Sequence, residues 1–443
     1  MMNYNYFIKV STTAFTACCI AMTALHASGE TLSIEPQIKL EQEYTDNILF
    51  VNEDPQKDYI TTLSPAFSVT KKTSRFESDF KVALDAIYYE EFDTLNSVDK
   101  RSSASLGYDV TERLKLGGSA GYLEDSRSDR EIDESGLILS GEREQMRSGL
   151  FGKYQFSEVT AVDFSAGYLT EEITTPESED NDTLTAEISL SRNISKFISN
   201  TTALFDISYM NYKSESPYVK EINYEDLPDD ILVIIVDPEE GSVPTGLLQR
   251  VDSESDYDVL NITAGFSREL TERLSFFLKG GTSCVTSEEA SNLSISASGT
   301  TLYDAQSLFD GGTNWGWLLF SGIGYSGLYD RIGINLSRDV QAASGQNGTT
   351  ERSAVNLKYT RKITEKLSTS LYGTCYLNQS DRVSRSDVDE LTTSSGAGMT
   401  YNFSKQWKGS LDWNYIRVEE NEGDLWRDRN RVYARIVRNF CLN

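Results

Sequence analysis

Histidine is all but missing: the 443 residues contain one, His26. It falls in an N-terminal stretch, residues 1–29, with the layout of a secretory signal peptide. Lys9 gives the positive start, Val10 to Leu25 is modestly apolar, and Ala27-Ser28-Gly29 offers small residues for cleavage. Phe15-Thr16-Ala17-Cys18 faintly resembles a lipoprotein box, but the apolar stretch runs on past it. The mature chain, residues 30–443, is therefore expected to lack imidazole. Hydrolysis by a histidine-activated nucleophile has no base to use, and zinc sites built on histidine have no ligand.

Cysteine is scarce as well. Cys18 and Cys19 lie in the N-terminal segment, and Cys284, Cys375 and Cys441 are scattered through the rest. Three well-separated thiols make neither a disulfide framework nor a thiolate metal cage, so free thiols are expected. Beyond the N-terminus no apolar run is long enough for a transmembrane helix. Basic residues number 41 against 68 acidic ones, a net charge of -27, which disfavours nucleic acid. The acidity suits loops that bind divalent cations or a pore that prefers cations, and equally loops that merely keep the chain soluble. Among so many carboxylates no pair stands apart, so no catalytic, cofactor-binding or metal residue is predicted and the chain reads as a non-enzyme.

What the chain has is alternation. Between Asp258 and Ser283, Leu260, Ile262, Ala264 and Phe266 alternate with Asn261, Thr263, Gly265 and Ser267. A short polar turn then leads into a second alternating arm. Period two with unlike faces is the pattern of a strand, and about ten residues per arm is enough to cross a bilayer at a tilt. The unit recurs about eighteen times. The predicted strands cover 32–44, 58–70, 75–89, 99–111, 114–124, 144–156, 160–172, 182–192, 197–211, 256–268, 273–285, 314–326, 330–340, 351–363, 367–378, 391–403, 408–418 and 429–440. Three short connections nearly repeat: Thr111-Glu112-Arg113-Leu114, Thr271-Glu272-Arg273-Leu274 and Thr364-Glu365-Lys366-Leu367. Long connections fall between them at about 45–57, 125–143, 173–181, 212–255, 286–313, 341–350 and 379–390.

The expected fold is all-β: one transmembrane antiparallel up-and-down barrel of about 18 strands, with short periplasmic turns and long extracellular loops. A soluble solenoid would show a fixed short period, which is absent. Tyr59, Tyr88, Tyr89, Tyr108, Tyr122, Tyr168, Tyr209, Tyr325, Trp407 and Trp413 fall mostly near strand ends, as an interfacial girdle requires.

Alternation also nominates a pore lining. If apolar residues face lipid, the lumen receives Asp79, Lys81, Asp85, Asp109, Asp163, Glu187, Asp206, Asp258, Lys279, Lys358, Asp412 and Arg435. Carboxylates left free there favour cations; charges paired along the wall stiffen it instead. Within the long 212–255 connection stands an apolar run, Ile231, Leu232, Val233, Ile234, Ile235 and Val236. It reads as a constriction segment, a docking strand, or an outward hairpin packed on neighbouring loops. Residues 286–313, rich in Ser, Gly and Thr, read as a second mobile loop.

Two stretches, Glu43-Tyr44-Thr45-Asp46-Asn47-Ile48-Leu49-Phe50 and Asp58-Tyr59-Ile60-Thr61-Thr62-Leu63-Ser64-Pro65, together with the Thr-Glu-Arg-Leu turns, resemble the putative β-barrel porin 2 family of bacterial outer membranes. Arg431 to Phe440, RVYARIVRNF, is similar to the terminal strand that outer-membrane assembly machinery recognises, although Cys441, Leu442 and Asn443 follow it. The resemblance implies an outer-membrane location, contact with lipid and lipopolysaccharide, insertion by barrel-assembly machinery, and a link to exopolysaccharide export components. The expected function is a pore for diffusion or export of polysaccharide or small hydrophilic solutes. The alternative is a non-conducting structural or adhesive barrel with acidic loops. No interface pattern indicates an oligomer.

Overall fold

The computed structural model describes residues 31–126, 141–174, 180–222, 247–297, 300–342, 349–380, 389–420 and 426–440. Eighteen strands run in chain order: β1 (Thr31–Thr45), β2 (Asp58–Lys72), β3 (Phe76–Tyr89), β4 (Ser97–Asp109), β5 (Leu114–Asp125), β6 (Glu142–Ser157), β7 (Thr160–Thr174), β8 (Asp180–Asn193) and β9 (Thr201–Ile222). They continue as β10 (Leu247–Glu269), β11 (Leu274–Ala297), β12 (Thr300–Ser326), β13 (Asp330–Ala342), β14 (Thr349–Lys362), β15 (Leu367–Ser380), β16 (Asp389–Asn402), β17 (Trp407–Glu420) and β18 (Trp426–Asn439). Each pairs antiparallel with its sequence neighbours in one 18-stranded sheet. β1 pairs with β18, from Gln37↔Asn439 to Thr45↔Arg431, so the sheet closes on itself and has no free edge around the barrel.

The recurring turns have a common physical cause. The Thr111 hydroxyl accepts from the amides of Arg113 and Leu114, at 3.2 and 3.0 Å. Thr271 does the same for Arg273 and Leu274, and Thr364 for Lys366 and Leu367. Ser404 repeats the arrangement with Gln406 and Trp407. In each turn one hydroxyl accepts from two amides (that of Leu274 also reaches the Thr271 carbonyl, at 3.3 Å), which is why a hydroxyl residue opens it.

The two faces of the sheet differ as the alternation implies. Leu63, Leu84, Leu106, Leu150, Ile188 and Leu411 are all exposed, and so are Tyr59, Tyr88, Tyr108 and Trp407 near strand ends and Tyr168 and Trp413 nearer mid-strand. A continuous exposed apolar band with aromatics at its margins would aggregate in water; it is stable against lipid. Tyr89 departs from the expected girdle: it is fully buried with Ile48, Ile60 and Ile87 on the opposite face.

The inner face is identified by reach. Alternate strands stand about 10 Å apart, so side chains two strands apart can meet only where curvature makes them converge. Lys279 of β11 meets Asp206 of β9 at 2.8 Å. Asn414 of β17 donates to the Tyr372 hydroxyl of β15 at 2.9 Å. Arg427 of β18 approaches Glu390 of β16 at 3.9 Å. All six share the face opposite the apolar band, which is therefore the concave side.

Two long connections differ from expectation. Residues 212–255 are strand at both ends: β9 runs to Ile222 and β10 starts at Leu247. Most of 286–313 is strand too, since β11 reaches Ala297 and β12 begins at Thr300. β8 pairs with β9 only as far as Glu215, and β12 pairs with β13 only from Leu319. Strands β9 to β12 therefore extend past their neighbours as a four-stranded flap. Their sequence is rich in Ser, Thr and acidic residues, so these arms read as loop. The predicted start of β9 at 197 is also corrected, because Ile194 to Asn200 form a turn with Asn200 at φ 52°. The signal region 1–29, the run Ile231 to Val236 and Cys441 lie outside the described residues; Cys284 and Cys375 are free thiols.

Candidate functional site

The concave face of the barrel carries most of the charged side chains that the alternation nominates. Asp79, Lys81 and Asp85 of β3 lie on it, out of phase with the exposed Leu84 and Tyr88. Asp163, Glu187, Asp206, Lys279, Lys358, Asp412 and Arg435 share it, as does Asp109 beside the outward Tyr108. Asp258 does not. It stands in phase with the exposed Leu260 and Ile262, accepts from the Tyr209 hydroxyl, and takes a 3.1 Å bond from Asn211. The expectation of a lumenal Asp258 is therefore corrected. Strand phase overrides charge here, because the residue lies beyond the apolar band, where a carboxylate on the outer surface meets water and costs little.

Most of the charges on the concave face are partnered. Asp79 holds Lys81 at 2.9 Å and the Thr70 hydroxyl at 2.8 Å. Asp85 pairs with Arg101, and Asp163 with Lys153 at 3.3 Å. Asp206 takes Lys279 and, at 3.0 Å, the Thr263 hydroxyl of the strand between them. Arg435 bridges Glu41 and Asp412. Asp109, Glu187 and Lys358 carry no ion pair among the described residues; Glu187 accepts from the Ser189 hydroxyl at 3.0 Å. A pairing pattern of this kind stiffens the wall and mutes the field that free carboxylates would create, so it weakens the case for a cation filter.

A second group gathers where the barrel closes. Arg427, Arg429, Arg431 and Arg435 alternate along β18 and present a column of guanidinium groups to the concave face. Sequence reading nominated Arg435 alone, although the same alternation carries the other three. The connection after β1 folds onto this column. Asn47 donates to the carbonyls of Val51 and Asp428, at 2.7 and 2.8 Å, and the Asp46 carboxylate takes the Asn430 amide at 2.7 Å. These bonds aim Phe50 inward, where it is buried with Ile416 and Val418. Its ring lies 4.7 Å from the Arg429 guanidinium carbon and 5.3 Å from that of Arg427. Phe50 has φ 51°, a left-handed conformation that costs a residue with a β-carbon roughly 1–2 kcal/mol. Burial of the ring and its contacts with two cations offset that cost. On the other side Asp58 accepts from the amides of Glu91 and Phe92, at 3.0 and 3.3 Å, tying in the connection after β3.

The 43–50 and 58–65 stretches thus form one structural corner, which fastens the first hairpin to the last strand at the end of the barrel opposite the short turns. Among the described residues no cluster of Cys, Asp or Glu is arranged to hold a metal ion.

The barrel is similar in fold to the ferric-catecholate import receptor Fiu from E. coli K12. The TM-score is 0.50 and the identity 8%, covering 93% of this chain and 82% of that one. The outer membrane channel DcaP of Acinetobacter baumannii matches with TM-score 0.41 and 13% identity, covering 94% and 99%. The ferric yersiniabactin uptake receptor FyuA from Yersinia pestis matches with TM-score 0.44 and 8% identity, covering 94% and 81%. At such identities the likeness is one of fold. No curated protein sequence matches this chain. Residues 31–140, which include both halves of the β1–β2 corner, match the model of the family described as putative beta-barrel porin 2.

Proposed function

We propose that this protein is a bacterial outer-membrane pore that lets hydrophilic solutes cross, with a carbohydrate chain as the finer reading of its cargo. The observation that carries the proposal is the closed sheet with opposed faces: an apolar band outside and a polar, ion-paired face inside. A wall of Ser, Gly, Thr and paired charges suits water and hydroxylated solutes, because it offers hydrogen bonds without a strong net field. Transport here is passive passage, and no covalent step is needed. The family match over residues 31–140 supports the outer-membrane setting; contact with lipopolysaccharide and delivery by barrel-assembly machinery belong to the same proposal.

A non-conducting structural or adhesive barrel is the second reading. What favours it is the corner that folds Phe50 onto the concave wall, since an inward connection takes up lumen space. Liposome swelling separates the two. Vesicles containing the refolded protein should swell in neutral mono- and disaccharides and progressively less in longer oligomers. Absence of swelling with every sugar would support the closed barrel instead.

A further inference from the structure

The concave wall from β1 to β6 holds a cavity of about 570 Å³. Its floor is made of small side chains, among them Ala66, Ala83, Ser103 and Gly121. Three cationic side chains, Lys81, Arg101 and Arg147, stand around it, with one carboxylate, Glu35, at the β1 edge. Their placement follows from strand register. Lys81 pairs with Ser103, Ser103 with Gly121, and Gly121 with Arg147, so one row across four strands has a cation at each end and small residues between. Three interstrand spacings put the two backbones about 14 Å apart. Arg101 is two residues from Ser103 on the same face of β4, beside that row.

The smallness of the floor is not imposed by wall packing. A β-carbon on Gly121 would lie 3.7 Å from the Ser102 carbonyl oxygen and 4.0 Å from the Arg147 β-carbon, both ordinary contacts. Glycine there leaves the trough deeper than packing requires. The cations are also held in place without being covered. Lys81 and Arg101 keep 63% and 53% of their side chains exposed while paired to Asp79 and Asp85. Arg147 donates through Nε to Gln145 at 2.8 Å, and Gln145 in turn donates to Glu171 at 3.0 Å. At the β1 side Gln37 and Asn439, joined at 2.7 Å, bring amide groups that can both give and take hydrogen bonds.

We propose that this trough is a binding subsite for a carboxylated sugar chain, a polyuronate in chemical class. A guanidinium presents two parallel donors that match a carboxylate, and cations spaced along a row suit a polymer with charge at regular intervals. Serine hydroxyls and amides suit the sugar hydroxyls, and the small floor lets a ring lie close to the wall. The ligand's route into the trough rests on the pore reading above; the recognition itself does not.

The test is calorimetric titration of the refolded full chain in detergent micelles with trigalacturonate, maltotriose and inorganic phosphate, alongside the planar-bilayer current of the same preparations. Trigalacturonate should bind, and Lys81→Gln with Arg101→Gln and Arg147→Gln should weaken it by about tenfold or more. Lys358→Gln, on the same face but outside the cavity, should leave binding unchanged. Circular dichroism establishes that each variant is folded; if the triple variant is not, the three single substitutions give the same readout. Maltotriose binding as tight as trigalacturonate, or a folded triple variant that binds normally, would overturn the proposal. Phosphate binding that equals trigalacturonate and is lost in the same variants would reduce the trough to a general anion site and overturn the sugar assignment. Binding by a barrel that passes no current would remove the pore reading and leave the subsite standing.

Discussion

Lys279 of β11 reaches across β10 to Asp206 of β9, Nζ to Oδ2 2.8 Å, and Thr263 of the intervening strand donates to the same oxygen at 3.0 Å. Three neighbouring strands are tied through one carboxylate. Both charged side chains are largely shielded, 26% and 14% exposed. Asp206→Asn should therefore destabilise the folded barrel by about 1–3 kcal/mol, because it strands a partly buried ammonium. Asp206→Asn combined with Lys279→Met should recover part of the loss. Urea unfolding in vesicles gives both numbers, and equal stability of the single variant and the parent would contradict the tie.

The hydroxyl-opened turns make a repeated prediction. Thr111→Ala, Thr271→Ala and Thr364→Ala each remove an acceptor for two amides. Each should cost about 0.5–1.5 kcal/mol, and Thr→Ser at the same sites should cost little. The turns lie far apart, so the three losses should add. Loss of equal size in the Ser and Ala series would point to the methyl group rather than the hydroxyl.

Barrel closure depends on Glu41, which is 5% exposed and pairs with Arg435, itself 3.1 Å from Asp412. Glu41→Ala leaves Arg435 with one carboxylate in place of two. A cost of about 2–4 kcal/mol is expected for opening a shielded network of this kind. It should appear as loss of the folded, fast-migrating gel band at a lower temperature than for the parent. An unchanged transition would show that the β1–β18 seam is held by its backbone ladder alone.

Phe50→Ala removes the ring that covers Arg427 and Arg429. Truncating a buried phenylalanine costs about 3–5 kcal/mol in a rigid core, and a surface corner that can relax should show less. The specific consequence is exposure: both guanidinium groups should react faster with an arginine-selective dicarbonyl, read by mass spectrometry of the β18 peptide. Protection equal to the parent would mean that the corner stays closed without its anchor.

Much of the architecture was legible because a lipid-facing wall permits no ambiguity of phase. Leu63, Leu84 and Leu411 alternate with small or polar neighbours, and each predicted strand overlaps the strand observed. Where strands run past their neighbours the sequence turns polar and that signal fades, and so 286–313 read as loop although β11 and β12 continue through it. Asp258 shows the same limit from the other side: charge suggested the lumen, while strand phase put it with Leu260. Phe50 was visible only as part of a family-like stretch. Its role depends on Arg427 and Arg429, distant in sequence and brought to it by closure of the barrel, which no local pattern encodes. The ion pairs of Asp206 and Asp412 were beyond sequence for the same reason, since they depend on curvature and register together.

Single-channel recording in a planar bilayer under a KCl gradient decides whether the barrel conducts. An open barrel with a mostly paired inner face predicts a steady, ohmic conductance with a reversal potential near zero. Insertion without current would contradict the pore, and a strong preference for either ion would contradict the mostly paired inner face.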